Sequence, residues 1–367
     1  MKIEVLQESL TKALTLASRF VSPRAQLPVL GNILLSAKKN KLQISSTNLE
    51  VSVSSSVVAK VEREGEITVP GRTITDLISN LNSQSVKLEA EKEHLKISTP
   101  NFESDISGMN ASDFPAIPQL IAKETGVPLK KDLFLEGLSQ VLYAASIDET
   151  RPVLTGVLFI FQQDVLVLVA TDGFRLSQKK VSIKAKALQK LILPKSILFE
   201  LSRFNEAEEI VLAFNQKENQ VLFATDDTVF SSRLLEGEFP DYERIIPKST
   251  LAKVFLDKEE LLRAVKLAGV FARESANIIK LNLGKDYVDI LAESAASGNQ
   301  TTRIDAKVEG EEKMEVAFNY RFLEEFLHSV KGEEVKLELS GPSSPGVFTD
   351  PKDPTFLHLI MPVRIQG

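Results

Sequence analysis

The chain has 367 residues, 43% of them hydrophobic and 26% charged, and carries a net charge of −6. That length predicts two or three domains with cores of their own. The absence of cysteine excludes a disulfide framework and fits a reducing, cytoplasmic setting; no signal-peptide core and no membrane span are expected, and the acidic balance argues against a surface that wraps nucleic acid all over.

Residues 3–6 read as a strand. Leu10, Ala13, Leu14 and Ala17 then fall at i, i+3, i+4 and i+7, one stripe of an amphipathic helix. ITVP (67–70) precedes a second helix bearing Ile74, Leu77, Ile78 and Leu81, and strands follow at 86–88 and 95–98. The order then recurs. A strand at 133–135 leads to Leu138, Val141, Leu142 and Ala145 on a helix. RPVLTGVLFIFQQDVLVLVATDGFRLS (151–177) reads as a hairpin, with arms at 157–161 and 165–170, a polar turn at 162–164, and a break at Thr171-Asp172-Gly173. LILP (191–194) precedes Leu198 and Leu201, with strands at 210–214 and 221–225. A third round has a strand at 254–256, a helix with Leu261, Ala264, Val265 and Ala268, a hairpin at 279–283 and 287–292, and VAFN (316–319) before Leu323 and Phe326. Proline suits the helix starts, where its missing N–H is not needed, and Asn319 serves as an N-cap. Strands at 335–339 and 357–361 follow.

The recurrence is literal in places. Residues 28–52 laid under 152–176 match Pro28 to Pro152, Val29 to Val153, Leu30 to Leu154, Leu34 to Leu158, Leu42 to Leu166 and Thr47 to Thr171, without a gap. An α+β fold of three tandem copies follows, at 1–125, 126–250 and 251–367, each with two helices and several strands and with linkers near 122–130 and 247–253. The stretch 341–354, rich in Pro, Ser, Gly and Asp, is expected to be an exposed, mobile loop. The apolar 359–365 is either the closing strand of the last sheet or the wall of a peptide groove.

Enzyme signatures are sparse. His94, His328 and His358 match no metal-ligand spacing, and there is neither a cysteine nucleophile nor a glycine-rich phosphate loop. Asp172 and Asp226 could pair as acid and base, as in a hydrolase, though turn chemistry explains both. Lys12, Arg19, Lys195, Arg203, Lys258, Arg263 and Lys266 ride on or beside the helices, and Arg24, Arg72 and Arg151 lie in or near turns. If all six helices line one side, these cations form a stripe matched to a phosphate backbone and blind to base sequence. A monomeric scaffold that binds only proteins is a third reading.

LPVLGNILL (27–35), ETRPVLTGVLF (149–159), ATDGFRLS (170–177), GEFPDYERIIP (237–247) and the terminal MPVRI (361–365) resemble, in this order and over the whole chain, the bacterial sliding clamps, the β subunit of DNA polymerase III. The resemblance implies three copies of the DNA-clamp domain, two helices on antiparallel sheets in each, and a head-to-tail dimeric ring. It implies no catalysis, no cofactor and no metal. The ring would hold double-stranded DNA topologically and without sequence preference. It would tether the replicative polymerase α subunit, be opened by a clamp loader, and serve other polymerases and repair proteins. Carried over residue by residue, the peptide groove comprises Leu154, Thr171, Gly173, Phe174, Arg175, Leu176, Pro240, Arg244, Ile245, Leu359, Met361, Pro362, Val363 and Arg364. Arg175 and Arg244 would face an acidic peptide end, and Phe174 stands where many relatives have histidine. DNA contacts fall to Arg24, Arg72, Arg151, Lys195 and Arg203, with Pro152 and Val153 where some relatives have tyrosines. At the dimer joint Ile106 would meet Val270 and Phe271, and Ser104 replaces an apolar residue of some relatives.

Overall fold

The computed structural model describes residues 1–118, 126–184, 189–204, 207–215 and 218–364. Three rounds of one element order account for its strands and α-helices. The first is β1 (Lys2–Leu6), α1 (Gln7–Ala17), β2 (Asn32–Lys38), β3 (Lys41–Thr47), β4 (Val51–Arg63), β5 (Gly65–Pro70), α2 (Gly71–Ser79), β6 (Ser85–Glu91), β7 (His94–Thr99) and β8 (Phe102–Ser107). The second is β9 (Val127–Lys130), α3 (Lys131–Val141), β10 (Gly156–Gln162), β11 (Val165–Thr171), β12 (Arg175–Ser182), β13 (Gln189–Pro194), α4 (Lys195–Ser202), β14 (Glu209–Asn215), β15 (Gln220–Ala224) and β16 (Thr228–Arg233). The third is β17 (Ala252–Asp257), α5 (Lys258–Ala272), β18 (Ile278–Leu283), β19 (Tyr287–Ser294), β20 (Gly298–Gly310), β21 (Glu315–Asn319), α6 (Tyr320–Ser329), β22 (Glu334–Leu339), β23 (Gly346–Asp350) and β24 (Asp353–Ile360). A constant offset of 124 carries α1 onto α3, β3 onto β11, β5 onto β13 and β6 onto β14, end to end.

The helical stripes are buried as their spacing requires. Leu10, Ala13, Leu14 and Ala17 on α1, and Leu261, Ala264, Val265 and Ala268 on α5, are all at most 5% exposed. Pro70 and Pro194 occupy the N-cap rather than the first helical turn, with φ of −53° and −57°. In the third round Asn319 takes that place, and its side chain accepts from the Arg321 N–H.

Several expectations need correction. Residues 133–135 are not a strand but the first turns of α3, because Phe134, Leu138 and Val141 share one buried helical face; the strand is β9, inside the supposed linker, pairing with β14. Residues 122–125 of that linker lie outside the described residues. The second linker, 247–253, ends at Leu251, since β17 begins at Ala252. The supposed mobile loop 341–354 contains β23. Its Phe348 is fully buried, edge-on to Phe318 with centroids 5.6 Å apart, and two core aromatics outweigh the turn-forming flanks. Finally, β24 stops at Ile360. The Met361 N–H reaches the Phe174 carbonyl (2.8 Å), Pro362 has no N–H to give, and the Val363 N–H turns to Ala317 (2.8 Å).

The chain clusters into two compact units, Met1–Lys131 with Asn205–Leu234, and Asp132–Phe204 with Leu235–Gly367. Each contains one twelve-stranded sheet. The second repeat is thus shared out: β9 and β14–β16 join the strands of the first, while β10–β13 join those of the third. The seams are antiparallel ladders of the same register, Val51↔Ser232 to Ser55↔Thr228 in one unit and Arg175↔Ile360 to Lys179↔Phe356 in the other.

At the middle of the second seam Ser177 faces His358, which is fully buried. Ser177 Oγ and the Tyr143 hydroxyl lie 2.7 and 3.2 Å from His358 Nδ1, and the imidazole stacks on Phe326 at 5.3 Å and 12°. Burial pushes the Tyr143 hydroxyl up to about 12, so it stays a neutral donor. Burial first, and then the Arg175 charge, hold the His358 imidazole well below its ordinary 6.5. Protons therefore bind the unfolded chain in preference. This site contributes its full stability above pH 6.5 and loses it as pH falls below that value, by up to ~1.4 kcal/mol per pH unit. Thermal unfolding followed from pH 7.5 to pH 5.5 should show a shallower loss of Tm in His358→Leu than in the wild-type chain.

Candidate peptide groove and nucleic-acid contacts

The candidate groove residues all belong to the second unit, and its seam brings most of them together. Thr171, Asp172, Gly173 and Phe174 form the turn between β11 and β12. Thr171 Oγ1 accepts from the Gly173 N–H (3.0 Å), and Asp172 Oδ1 accepts from Phe174 (2.9 Å) and Arg175 (3.0 Å). Gly173 has φ +93°, the left-handed conformation glycine adopts without strain. Leu176 pairs with Leu359 across the seam, and both are buried, a burial that stabilises by about 1.5–3 kcal/mol per side chain. They belong to an apolar floor with Leu158, Ile160, Val167, Val169 and Ile192.

The segment after β16 packs on this floor: Tyr242 is buried there, with Leu235, Phe239 and Ile246 partly so. Burial and the neighbouring Glu243 push the Tyr242 hydroxyl up to about 12. Pro240, Arg244 and Ile245 stay at the surface of the same segment, and Arg244 pairs with Asp241 at 2.6 Å. Phe174, Ile245 and Met361 are large apolar side chains left exposed, at 62%, 40% and 37%. Leu154 is buried in a short 3₁₀ turn, Pro362 and Val363 are half-buried, and Arg364 is exposed.

Arg175 is 9% exposed and turned inward. Its Nε donates to Asp172 Oδ2 (3.0 Å), Nη1 to Glu325 and Nη2 to the Tyr143 carbonyl (2.6 Å). Glu325, Tyr143 and Phe322 were missed by sequence reasoning. Only the Asp172–Arg175 spacing gave a signal, because Glu325 comes from another repeat.

The corresponding seam of the first unit has the same backbone and different side chains. Ile160, Val167, Val169, Leu176 and Ile192 become Ser36, Gln43, Ser45, Ser52 and Thr68 at the 124-residue offset, and Ser231 faces Ser52 where Leu359 faces Leu176. These hydroxyls satisfy one another: Ser52–Ser231 at 2.6 Å, Ser45–Ser54 at 2.9 Å and Gln43–Ser54 at 2.7 Å. The first seam is a polar surface without an apolar floor.

Among the cationic candidates, Arg24 and Arg72 line one cleft of about 610 Å³ in the first unit, with Ser18, Ser22, Thr75 and Asp76. In the second unit Lys195 opens α4 and Arg203 closes it, its guanidinium 5.4 Å from the Phe199 ring centroid. Lys195 Nζ lies 3.5 Å from the Ala145 carbonyl; burial and the Arg175 charge hold its ammonium below its ordinary range. Arg151 pairs with Asp148 at 3.2 Å. At the proposed joint, Ile106 is buried in β8, while Val270 is 49% exposed and Phe271 half-buried on α5.

The catalytic alternative loses its acid. Both Asp172 oxygens are committed to its own turn and to Arg175. His94 pairs with Asp105 at 2.8 Å, His328 lies 3.8 Å from Glu324 and His358 is buried; no cluster of three or more candidate metal ligands occurs among the described residues.

Comparison with known proteins accounts for the repeat. Models of the N-terminal, central and C-terminal domains of the DNA polymerase III beta subunit match residues 1–118, 128–241 and 243–364. The beta sliding clamp of Staphylococcus aureus is 31% identical over 356 residues, 94% of each chain. The chain belongs to the beta sliding clamps. Solved relatives agree in fold: the DNA polymerase sliding clamp of Bacillus subtilis superposes with a TM-score of 0.95 at 26% identity, and the beta subunit of Thermotoga maritima with 0.92 at 26%, each over the full length of both chains. The clamp is a non-catalytic subunit of DNA polymerase III, built of three tandem clamp domains.

The two seams differ at a turn that tests this geometry. Leu49, the counterpart of Gly173, sits in the same turn, where Thr47 Oγ1 accepts from the Leu49 N–H and Asn48 Oδ1 from those of Glu50 and Val51; it has φ +77° and is 48% exposed. A leucine in that conformation costs about 1–2 kcal/mol, against about 0.5–1 kcal/mol for the extra freedom glycine loses on folding. Leu49→Gly should therefore raise stability slightly, by up to about 1 kcal/mol in chemical denaturation.

Proposed function

We propose that two copies of this clamp close head to tail into a ring around double-stranded DNA, and that the groove of the second unit tethers the replicative polymerase and other partners to it. The observation that carries the ring is the repeated seam. Within the chain the fourth strand of one repeat pairs, over its first five residues, with the last strand of the next, and does so twice in one register. Among the described residues, the third repeat's fourth strand, β20, pairs there only with β19, and the first repeat's last strand, β8, ends its sheet, which leaves one unpaired edge of each kind. Unpaired strand edges recruit strands, and a heterologous contact that closes gives a ring. Carried to these edges, the same register sets residues 298–302 of one copy against 102–106 of the next, with Gln300 opposite Ser104. Val270 and Phe271 would then meet Ile106.

The domain divisions 1–125, 126–250 and 251–367 suit this arrangement, each being one round of the element order. DNA would run past the helices, meeting Arg24, Arg72, Arg151, Lys195 and Arg203 through its phosphates. Few cations on a chain of net charge −6 make weak, salt-sensitive contacts, which is what a sliding ring requires. Partners of the groove would be short segments with apolar and aromatic side chains: the polymerase α subunit, a clamp loader, and other polymerases and repair proteins. An apolar floor at only one of the two seams gives one groove per chain. All of this belongs in the cytoplasm, with the DNA.

Retention on DNA is the first test. Loaded on a nicked circular plasmid by a matched loader, the clamp should stay through gel filtration and run off once the plasmid is linearised; a clamp that remains on linear DNA holds it by contact and the ring fails. Sedimentation should give twice the 40.6 kDa chain mass, and Val270→Asp should lower it toward one copy while the fold persists. Deleting residues 363–367 should abolish binding of a polymerase-derived peptide and leave the dimer intact, whereas unchanged peptide affinity would place the groove elsewhere.

A further inference from the structure

The surroundings of Arg175 assign it a task other than touching a peptide. Its three nitrogens are committed to Asp172, Glu325 and the Tyr143 carbonyl, and its plane lies over the Phe322 ring, 4.4 Å from the centroid. A guanidinium so placed is a rigid bracket, since its donors diverge in one plane at fixed angles. The bracket continues in both directions. Asp172 caps the Phe174 and Arg175 amides, and the Phe174 carbonyl accepts from the Met361 N–H at 2.8 Å. A chain of bonds therefore runs from α6 through Glu325, Arg175 and Asp172 to Phe174 and Met361, two of the exposed apolar side chains of the groove.

We propose that Glu325 is a positioning residue for the peptide groove: through Arg175 it fixes the turn 171–175, and with it Phe174 and Met361, without meeting the peptide. The inference rests on the groove reading above. Glu325 is half-exposed on α6, whereas Arg175 is nearly dry, so an amide in place of the carboxylate keeps an acceptor but removes the charge that holds the guanidinium on that side. Lys195 also feels the Arg175 charge, which Glu325 and Asp172 offset. Without the Glu325 charge the two cations repel with one anion fewer to offset them, and the turn gives way on the groove side.

The test uses the full-length dimer and an uncharged synthetic peptide bearing leucine and phenylalanine side chains, read by fluorescence anisotropy. Hydrogen exchange of residues 357–364 is followed in parallel by mass spectrometry. Glu325→Gln should weaken the peptide about fivefold, in line with loss of one charge-assisted bond partly open to solvent, and should speed exchange of that segment with Tm unchanged. Glu325→Asp should recover part of both. Unchanged affinity in Glu325→Gln, with the wild type binding, overturns the inference. Weaker affinity with exchange at the wild-type rate also overturns it, because charge would then act at a distance rather than through the turn. A wild-type chain that ignores the peptide removes the groove reading and this inference together.

Discussion

The backbone ladder between the fourth strand of one repeat and the last strand of the next is the constraint on which the rest depends. A strand edge leaves N–H and C=O groups that must be paired or wetted. Here two of these edges are paired inside the chain, rung for rung alike, and the sheet passes from one repeat into the next without a break. The ladder reads no side chains, so it can recur while the surfaces it carries diverge.

That divergence explains why two equivalent seams have different fates. Along the first, serines, a threonine and a glutamine bond to each other and offer nothing apolar. Along the second, leucine, isoleucine and valine leave a floor that must be covered. Tyr242 and its neighbours cover most of it, and Phe174, Ile245 and Met361 remain exposed around what they leave. Underneath, the face holding Ser177, His358 and Tyr143 is polar but dry, and the charge of Arg175 is neutralised where it lies. This seam is apolar on one face and electrostatically fixed on the other, a division that follows from the period-two alternation of β12.

Sequence reading reached the repeat, its element order and most helical faces because these are local and periodic. It failed where a few side chains outweighed their neighbours. Leu133, Phe134 and Leu135 form an apolar run like a strand's, but Phe134 shares its buried face with Leu138 and Val141 at helical spacing. Val347 and Phe348 were lost among prolines, serines and glycines, yet two aromatic contacts make them a strand. The long fourth strands β4 and β20 carry weak apolar signals: serines interrupt the buried start of the first, and Ile304 alone is buried in the second.

The sequence by itself determined the threefold order and the turn chemistry of Thr171-Asp172-Gly173, since each is written in adjacent or regularly spaced residues. Only the tertiary structure decided which strands meet across repeats and which way Arg175 points. Its partners Asp172, Tyr143 and Glu325 lie in two different repeats, and the low dielectric around a buried guanidinium makes it follow those acceptors rather than the open groove.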